Sequence, residues 1–154
     1  MSLESIRLRR MEEIRTGETA WFSKTVTEAD IMMFAMLSGD YAPQHVNAEF
    51  GKTMMYGERI AHGMLTVGLI IPALLKLLGD GAQTVYEEVK FKSAVTLNDT
   101  VTVKAEVAEL FPEENRVKVD VVCRKQDTGP EERPLIVGTF IMELTVTELP
   151  QMQS

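Results

Sequence analysis

The order of apolar and polar positions divides the chain into helical and extended stretches. Residues 19–26 hold Trp21, Phe22 and Thr25, types that suit a pleated surface, and read as a strand. Thr27-Glu28-Ala29-Asp30 follows as a capping-box pattern, a hydroxyl with a carboxylate three positions on. The run it opens, 31–37, is apolar nearly all round, which predicts a largely buried helix ended by Gly39. Residues 39–45 contain Gly and Pro and read as a loop. A helical turn is expected at 47–52 and a second loop at 56–59. The longest apolar stretch then predicts one helix over 61–78, about 25 Å long. Pro72 lies inside it and should kink it or cost a hydrogen bond, and Gly79-Asp80-Gly81 stops it.

Beyond that helix the period changes to two. Residues 100–107 and 117–121 alternate polar and apolar, and 84–91 also fits a strand. Residues 135–146 are apolar on both faces in places, so they should be covered on both sides. Asn98-Asp99, Glu113-Glu114-Asn115 and Asp127-Thr128-Gly129-Pro130 are the turns. Strand, helix, loop, long helix and about four strands indicate one α+β domain over 1–154. Its antiparallel sheet is expected to wrap the long helix.

Composition narrows the function classes. Lys and Arg total 16 against 23 Asp and Glu, a net charge of −7, which repels phosphate backbones and argues against a nucleic-acid binder. Hydrophobic residues at 45% and charged residues at 25% are ordinary for a globular chain. A single cysteine excludes an internal disulfide framework and fits a reducing compartment. Residues 60–78 approach the length of a membrane span but contain His62, Pro72 and Lys76. No targeting segment is evident: the basic N-terminal residues are followed by no apolar stretch. A cytoplasmic protein without membrane or nucleic-acid partners is expected.

Two places carry candidate chemistry. Asp40 and His45 lie five positions apart on one short loop stiffened by Pro43. A carboxylate and an imidazole held toward one point can move a proton on and off a water molecule. The plainer alternative is that Asp40 caps the turn after Gly39 and His45 is a satisfied polar residue. His62-Gly63 opens the long helix. Its first N–H groups lack internal partners, and a glycine there lets a substrate oxygen approach the backbone. Alternatively, Gly63 only relieves packing and His62 caps the helix.

Leu37-Ser38-Gly39-Asp40-Tyr41-Ala42-Pro43-Gln44-His45 resembles the hydratase loop of the MaoC-like dehydratases, which include the (R)-specific enoyl-CoA hydratases. Ile60-Ala61-His62-Gly63-Met64-Leu65 resembles that family's second block, and Val26-Thr27-Glu28-Ala29-Asp30 its usual lead-in. The likeness spans about 19–147. It implies a hot-dog fold, usually a homodimer or higher homo-oligomer with sites near the subunit interface. The implied reaction is reversible hydration of a trans-2-enoyl thioester of coenzyme A to the (R)-3-hydroxyacyl thioester. Asp40 and His45 would hold and activate the water. The Gly63 N–H would meet the carbonyl oxygen, with His62 and Met64 beside it on the substrate. No metal or redox cofactor is implied, coenzyme A entering only as part of the substrate. In one place the sequence departs from the pattern: Ala42 stands where the family usually has Asn, so one orienting side chain is missing. An acyl-CoA thioesterase on the same fold, or a non-catalytic acyl-CoA-binding subunit, are the alternatives.

The remaining residues have plainer readings. Cys123 is expected to be a core or half-buried thiol. Met32, Met33, Met36, Met54, Met55 and Met64 read as core packing before pocket lining. Lys52, Arg59, Lys90 and Lys92 are candidates for the phosphates of coenzyme A. Asp40, His45 and His62 could in principle hold a metal, but no further ligand spacing supports it.

Overall fold

Thr27 caps the first helix as its pattern predicts. Its backbone N–H donates to Asp30 Oδ2 at 2.8 Å, and its hydroxyl accepts from the Asp30 N–H. In the computed structural model, which describes residues 5–126, 128–129 and 131–148, this helix is α1 (Glu28–Ser38). It ends on Gly39 at φ +78°, a left-handed position that favours glycine. It follows β1 (Thr19–Thr25) and precedes α2 (Pro43–Val46) and α3 (Ala48–Thr53). The expected loop at 39–45 therefore carries a helical turn, started by Pro43, in which His45 sits.

The expected single helix over 61–78 is two helices, α4 (Gly63–Gly68) and α5 (Ile71–Leu78). Pro72 is the cause. It has no N–H to give the Gly68 carbonyl, and its ring would press on that carbonyl. The chain answers with tighter three-residue bonds, Leu69 N–H to Thr66 O and Ile70 N–H to Val67 O. Among the described residues no helix is long and apolar enough to cross a membrane.

Four strands follow: β2 (Ala82–Phe91), β3 (Thr100–Phe111), β4 (Arg116–Lys125) and β5 (Ile136–Leu144). With β1 they form one antiparallel sheet in the order β1-β3-β4-β5-β2. The period-two pattern fixes the register, because a one-residue slip would turn every valine outward. Val103 pairs with Cys123 and Cys123 with Ile136; Val107 pairs with Val119 and Val119 with Phe140. These residues are all buried, together with Leu74, Leu77 and Leu78 of α5, so the sheet closes on the central helix as expected. Gly138 of β5 lets β2 approach: a side chain there would lie 2.6 Å from the Glu88 carbonyl. Cys123 is a core thiol, pushed up to about 12 by burial.

Three expectations about burial fail. Within the chain, α1 buries only Ile31 and Ala35, leaving Met33, Met36 and Leu37 exposed. Met55 and Met64 are exposed as well, so most of the methionines singled out do not pack in the core. In β5 the second face is only half-buried. Of the predicted turn at 127–130, Asp127 and Pro130 lie outside the described residues.

The Asn98-Asp99 turn ties the sheet to the loop at 93–97. Asp99 Oδ2 accepts from the Thr96 N–H at 2.7 Å, the Thr96 hydroxyl at 2.8 Å and Lys125 Nζ at 2.7 Å. Burial pushes this carboxyl up, but the Lys125 ammonium and the Thr96 donors outweigh it and hold the acid below its ordinary range. The stabilisation is therefore complete above the ordinary carboxylate range and is lost as pH falls through the lowered value. Asp99→Asn is expected to cost about 1–3 kcal/mol at neutral pH. Urea melts of both proteins should converge as the pH falls through the lowered value of Asp99.

Candidate active site

Asp40 follows directly on the left-handed Gly39, so the chain turns sharply as α1 ends. Three contacts fix its peptide and carboxylate. Its N–H donates to the Ser38 hydroxyl at 3.2 Å, its Oδ1 accepts from the Ala42 N–H at 3.1 Å, and its carbonyl accepts from His62 Nε2 at 2.9 Å. Oδ2 is left to face His45 Nε2 at 3.8 Å. That is too long for a direct hydrogen bond and leaves room for a small group bonded to both. The Ala42 contact is made by backbone, so the carboxylate is oriented here without a side chain at position 42.

His45 is buried, and its Nδ1 lies 2.8 Å from the Ile60 carbonyl. A carbonyl only accepts, so Nδ1 is a donor here, and Nε2 is the ring atom turned toward Asp40. The Ile60 peptide is itself held, its N–H donating to the Gln44 carbonyl at 3.1 Å. Next to it, the Ala61 N–H donates to the Val95 carbonyl at 2.7 Å and joins this corner to the loop after β2.

A cavity of about 300 Å3 opens against this corner. Its walls include His45, Gly63, Tyr56, Phe91, Lys92 and Ser93. The Gly63 N–H, at the start of α4, has no hydrogen-bond partner among the described residues. A side chain at Gly63 would lie 2.8 Å from the Phe91 ring, so the glycine lets that ring lie against the start of α4. Asp40 stands beside His45, just outside the cavity wall.

The other two residues expected on the substrate, Met64 and His62, are not among the residues that line this cavity. Met64 is exposed and is not part of the cavity wall, because one step along a helix from Gly63 turns the side chain away. His62 is 2% exposed and lies behind the pair. Its ring stacks on His45 with centroids 3.9 Å apart at 27°, and Phe34 covers it from 4.9 Å. It caps nothing: α4 has no side-chain cap. Its Nδ1 is buried without a hydrogen-bond partner among the described residues.

Asp40, His45 and His62 bring ligand-type atoms within 4.8 Å of one another. One nitrogen of each ring is already engaged, His62 Nε2 on the Asp40 carbonyl and His45 Nδ1 on the Ile60 carbonyl.

Tyr56, Phe91 and Ser93 contribute walls that the sequence reading passed over. The only local signal was Phe91-Lys92-Ser93, where an apolar strand ends on polar residues. Of the four basic candidates, three are engaged: Lys52 with Glu49, Arg59 with Glu28 and Lys90 with Glu88. Lys92 lines the cavity and has no ion-pair partner among the described residues.

A family model described as a MaoC like domain matches residues 13–128. The chain is 41% identical over 124 residues to an (R)-specific enoyl-CoA hydratase of Rhodospirillum rubrum, covering 80% of this chain and 86% of that protein. It is 36% identical over 126 residues to a 3-hydroxybutyryl-CoA dehydratase of Methylorubrum extorquens, covering 81% and 80%. The structure of an unliganded R-hydratase from Pseudomonas aeruginosa superposes with a TM-score of 0.79 at 29% identity, covering 94% of this chain and 96% of that one.

Proposed function

Because the chain belongs to the MaoC-like dehydratase family, we propose that it catalyses the reversible hydration of trans-2-enoyl-CoA to (R)-3-hydroxyacyl-CoA. The observation that carries this reading is Asp40 Oδ2 facing Nε2 of His45 at 3.8 Å, beside a cavity whose wall includes Gly63, an N–H without a partner among the described residues. A water held between the two side chains gives up a proton to them as its oxygen bonds to the β-carbon. The electron pair of the double bond moves toward the thioester carbonyl, whose oxygen gains charge and accepts from the Gly63 N–H. The proton is then delivered to the α-carbon, so atoms and charge balance over the cycle. Loss of the enoyl-thioester absorbance with crotonyl-CoA, and with a longer trans-2-enoyl-CoA, tests the proposal. The product should be the (R)-3-hydroxyacyl thioester. Release of free thiol from a saturated acyl-CoA would instead establish a thioesterase.

Lys92 is the residue proposed to meet a phosphate of the coenzyme A carrier, since the other three candidates already have carboxylate partners. Lys92→Met should raise KM for crotonyl-CoA about fivefold to tenfold, the size of a solvent-screened ion pair near 1 kcal/mol. KM for the N-acetylcysteamine thioester, which has no phosphate, should not move.

A homodimer is proposed from two uncovered features. Strand β2 leaves one edge of the sheet unpaired over ten residues, and Met33, Met36, Leu37 and Leu65 line an apolar groove of about 520 Å3 along α1. Open edges and apolar grooves invite a partner. Light scattering should give twice the mass of the chain.

A further inference from the structure

We infer that His62 is a positioning residue that sets the separation of Asp40 and His45, an inference that rests on the hydratase reading of that pair. His62 touches both members from the side away from the cavity. Its Nε2–H donates to the Asp40 carbonyl at 2.9 Å, and its ring lies against the His45 ring at 3.9 Å. One side chain thus fixes the backbone that carries the acid and the face of the imidazole that carries the base. Ala42 also bonds both, its N–H to Asp40 Oδ1 and its carbonyl to the His45 N–H, but from within the same turn.

The burial pattern argues that this is the purpose of the residue. At 2% exposure, His62 holds an Nδ1 with no partner among the described residues, and a buried polar atom without a partner is costly. Phenylalanine would fill the same space against Phe34 and His45 without that cost. What an imidazole adds here is the single Nε2–H to Asp40. The remaining restraints on Asp40 come from Ser38 and Ala42, which lie within two residues of it and move with the same turn. His62 is 22 positions away on the start of α4, so its bond ties the Asp40 end of the turn to the helix that presents Gly63, as the Ile60 bonds to Gln44 and His45 tie the other end. The three reacting parties are therefore held in one frame through His62.

Two variants separate its two contacts. His62→Phe keeps the ring against His45 and removes the donor. His62→Gln keeps a donor with similar reach and removes the stack. With crotonyl-CoA, His62→Phe is expected to lower kcat about tenfold to a hundredfold while KM stays within about twofold, because the displaced pair is not the part that binds the thioester. His62→Gln should recover part of that loss. Thermal melts should show His62→Phe at least as stable as the parent. The titration of the His45 ring, followed by NMR in the substrate-free protein, should shift in His62→Phe, since the distance to Asp40 changes. This last reading does not need turnover, so it tests positioning even if the parent hydrates nothing, an outcome that would sink the hydratase reading alone. An unchanged kcat and an unchanged His45 titration in His62→Phe overturn the inference. A rise in KM with kcat preserved also overturns it, by placing His62 on the substrate.

Discussion

Replacing Asp40 by Asn is expected to reduce enoyl-CoA hydration at least a hundredfold, about 2.7 kcal/mol of barrier, and to leave the fold unchanged. The fold should survive because the Asp40 side chain is 48% exposed and Asn has the same shape. An amide oxygen still accepts the Ala42 N–H, and the backbone carbonyl still accepts from His62. What changes is the atom facing His45. Oδ2, which accepts a proton and carries charge, becomes either an amide donor or a neutral oxygen. Neither takes a proton from water at neutral pH, so His45 is left to act alone. The loss should therefore appear in kcat, with KM for crotonyl-CoA little altered. Absorbance assays of parent and variant, with circular dichroism to check the fold, decide the matter. A folded Asp40→Asn protein hydrating at near-parent rate would remove the acid–base pair from the mechanism.

Much of this site could be read before any coordinates, and the reason is its local construction. The Thr27 box, the Gly39 stop and the turn at Asp40 each depend on residues within a few positions of one another. Such features are written in short stretches of sequence. The sheet was legible for a similar reason, since Val101, Val103, Ala105 and Val107 point to one face by period alone. Pro72 was visible too, but the unbroken apolar run around it concealed that the chain would stop α4 rather than bend through it.

What failed depended on distant parts of the chain. The contacts of His62 lie at positions 34, 40 and 45, and sequence does not say which way a helix start turns its first side chain. Met33, Met36 and Leu37 were placed in the core because they are apolar. Hydrophobicity says that a face prefers to be covered, without saying whether the same chain covers it. The exposed α1 face and the half-buried second face of β5 are the same error made twice.

Gly63→Ala is the second large effect, and it separates two readings of the glycine. A methyl group at Gly63 would sit 2.8 Å from Phe91 Cε1. Phe91 is half-exposed at the end of β2, so its ring can swing outward and the variant should fold. The same methyl group crowds the approach of a substrate oxygen to the Gly63 N–H. Loss of one such donor is worth about a hundredfold in kcat. If the glycine served packing alone, shortening the neighbour should cure the defect, and Gly63→Ala with Phe91→Ala would hydrate as fast as Phe91→Ala. If the backbone N–H meets the thioester oxygen, the double variant stays about a hundredfold slower than Phe91→Ala. The comparison rests on a ratio of rates, so any effect of losing the Phe91 ring itself cancels. A ratio near one would return Gly63 to the packing of β2 against α4 and leave the carbonyl donor to be sought among the other groups of the cavity wall, of which the Ser93 hydroxyl is the first to test.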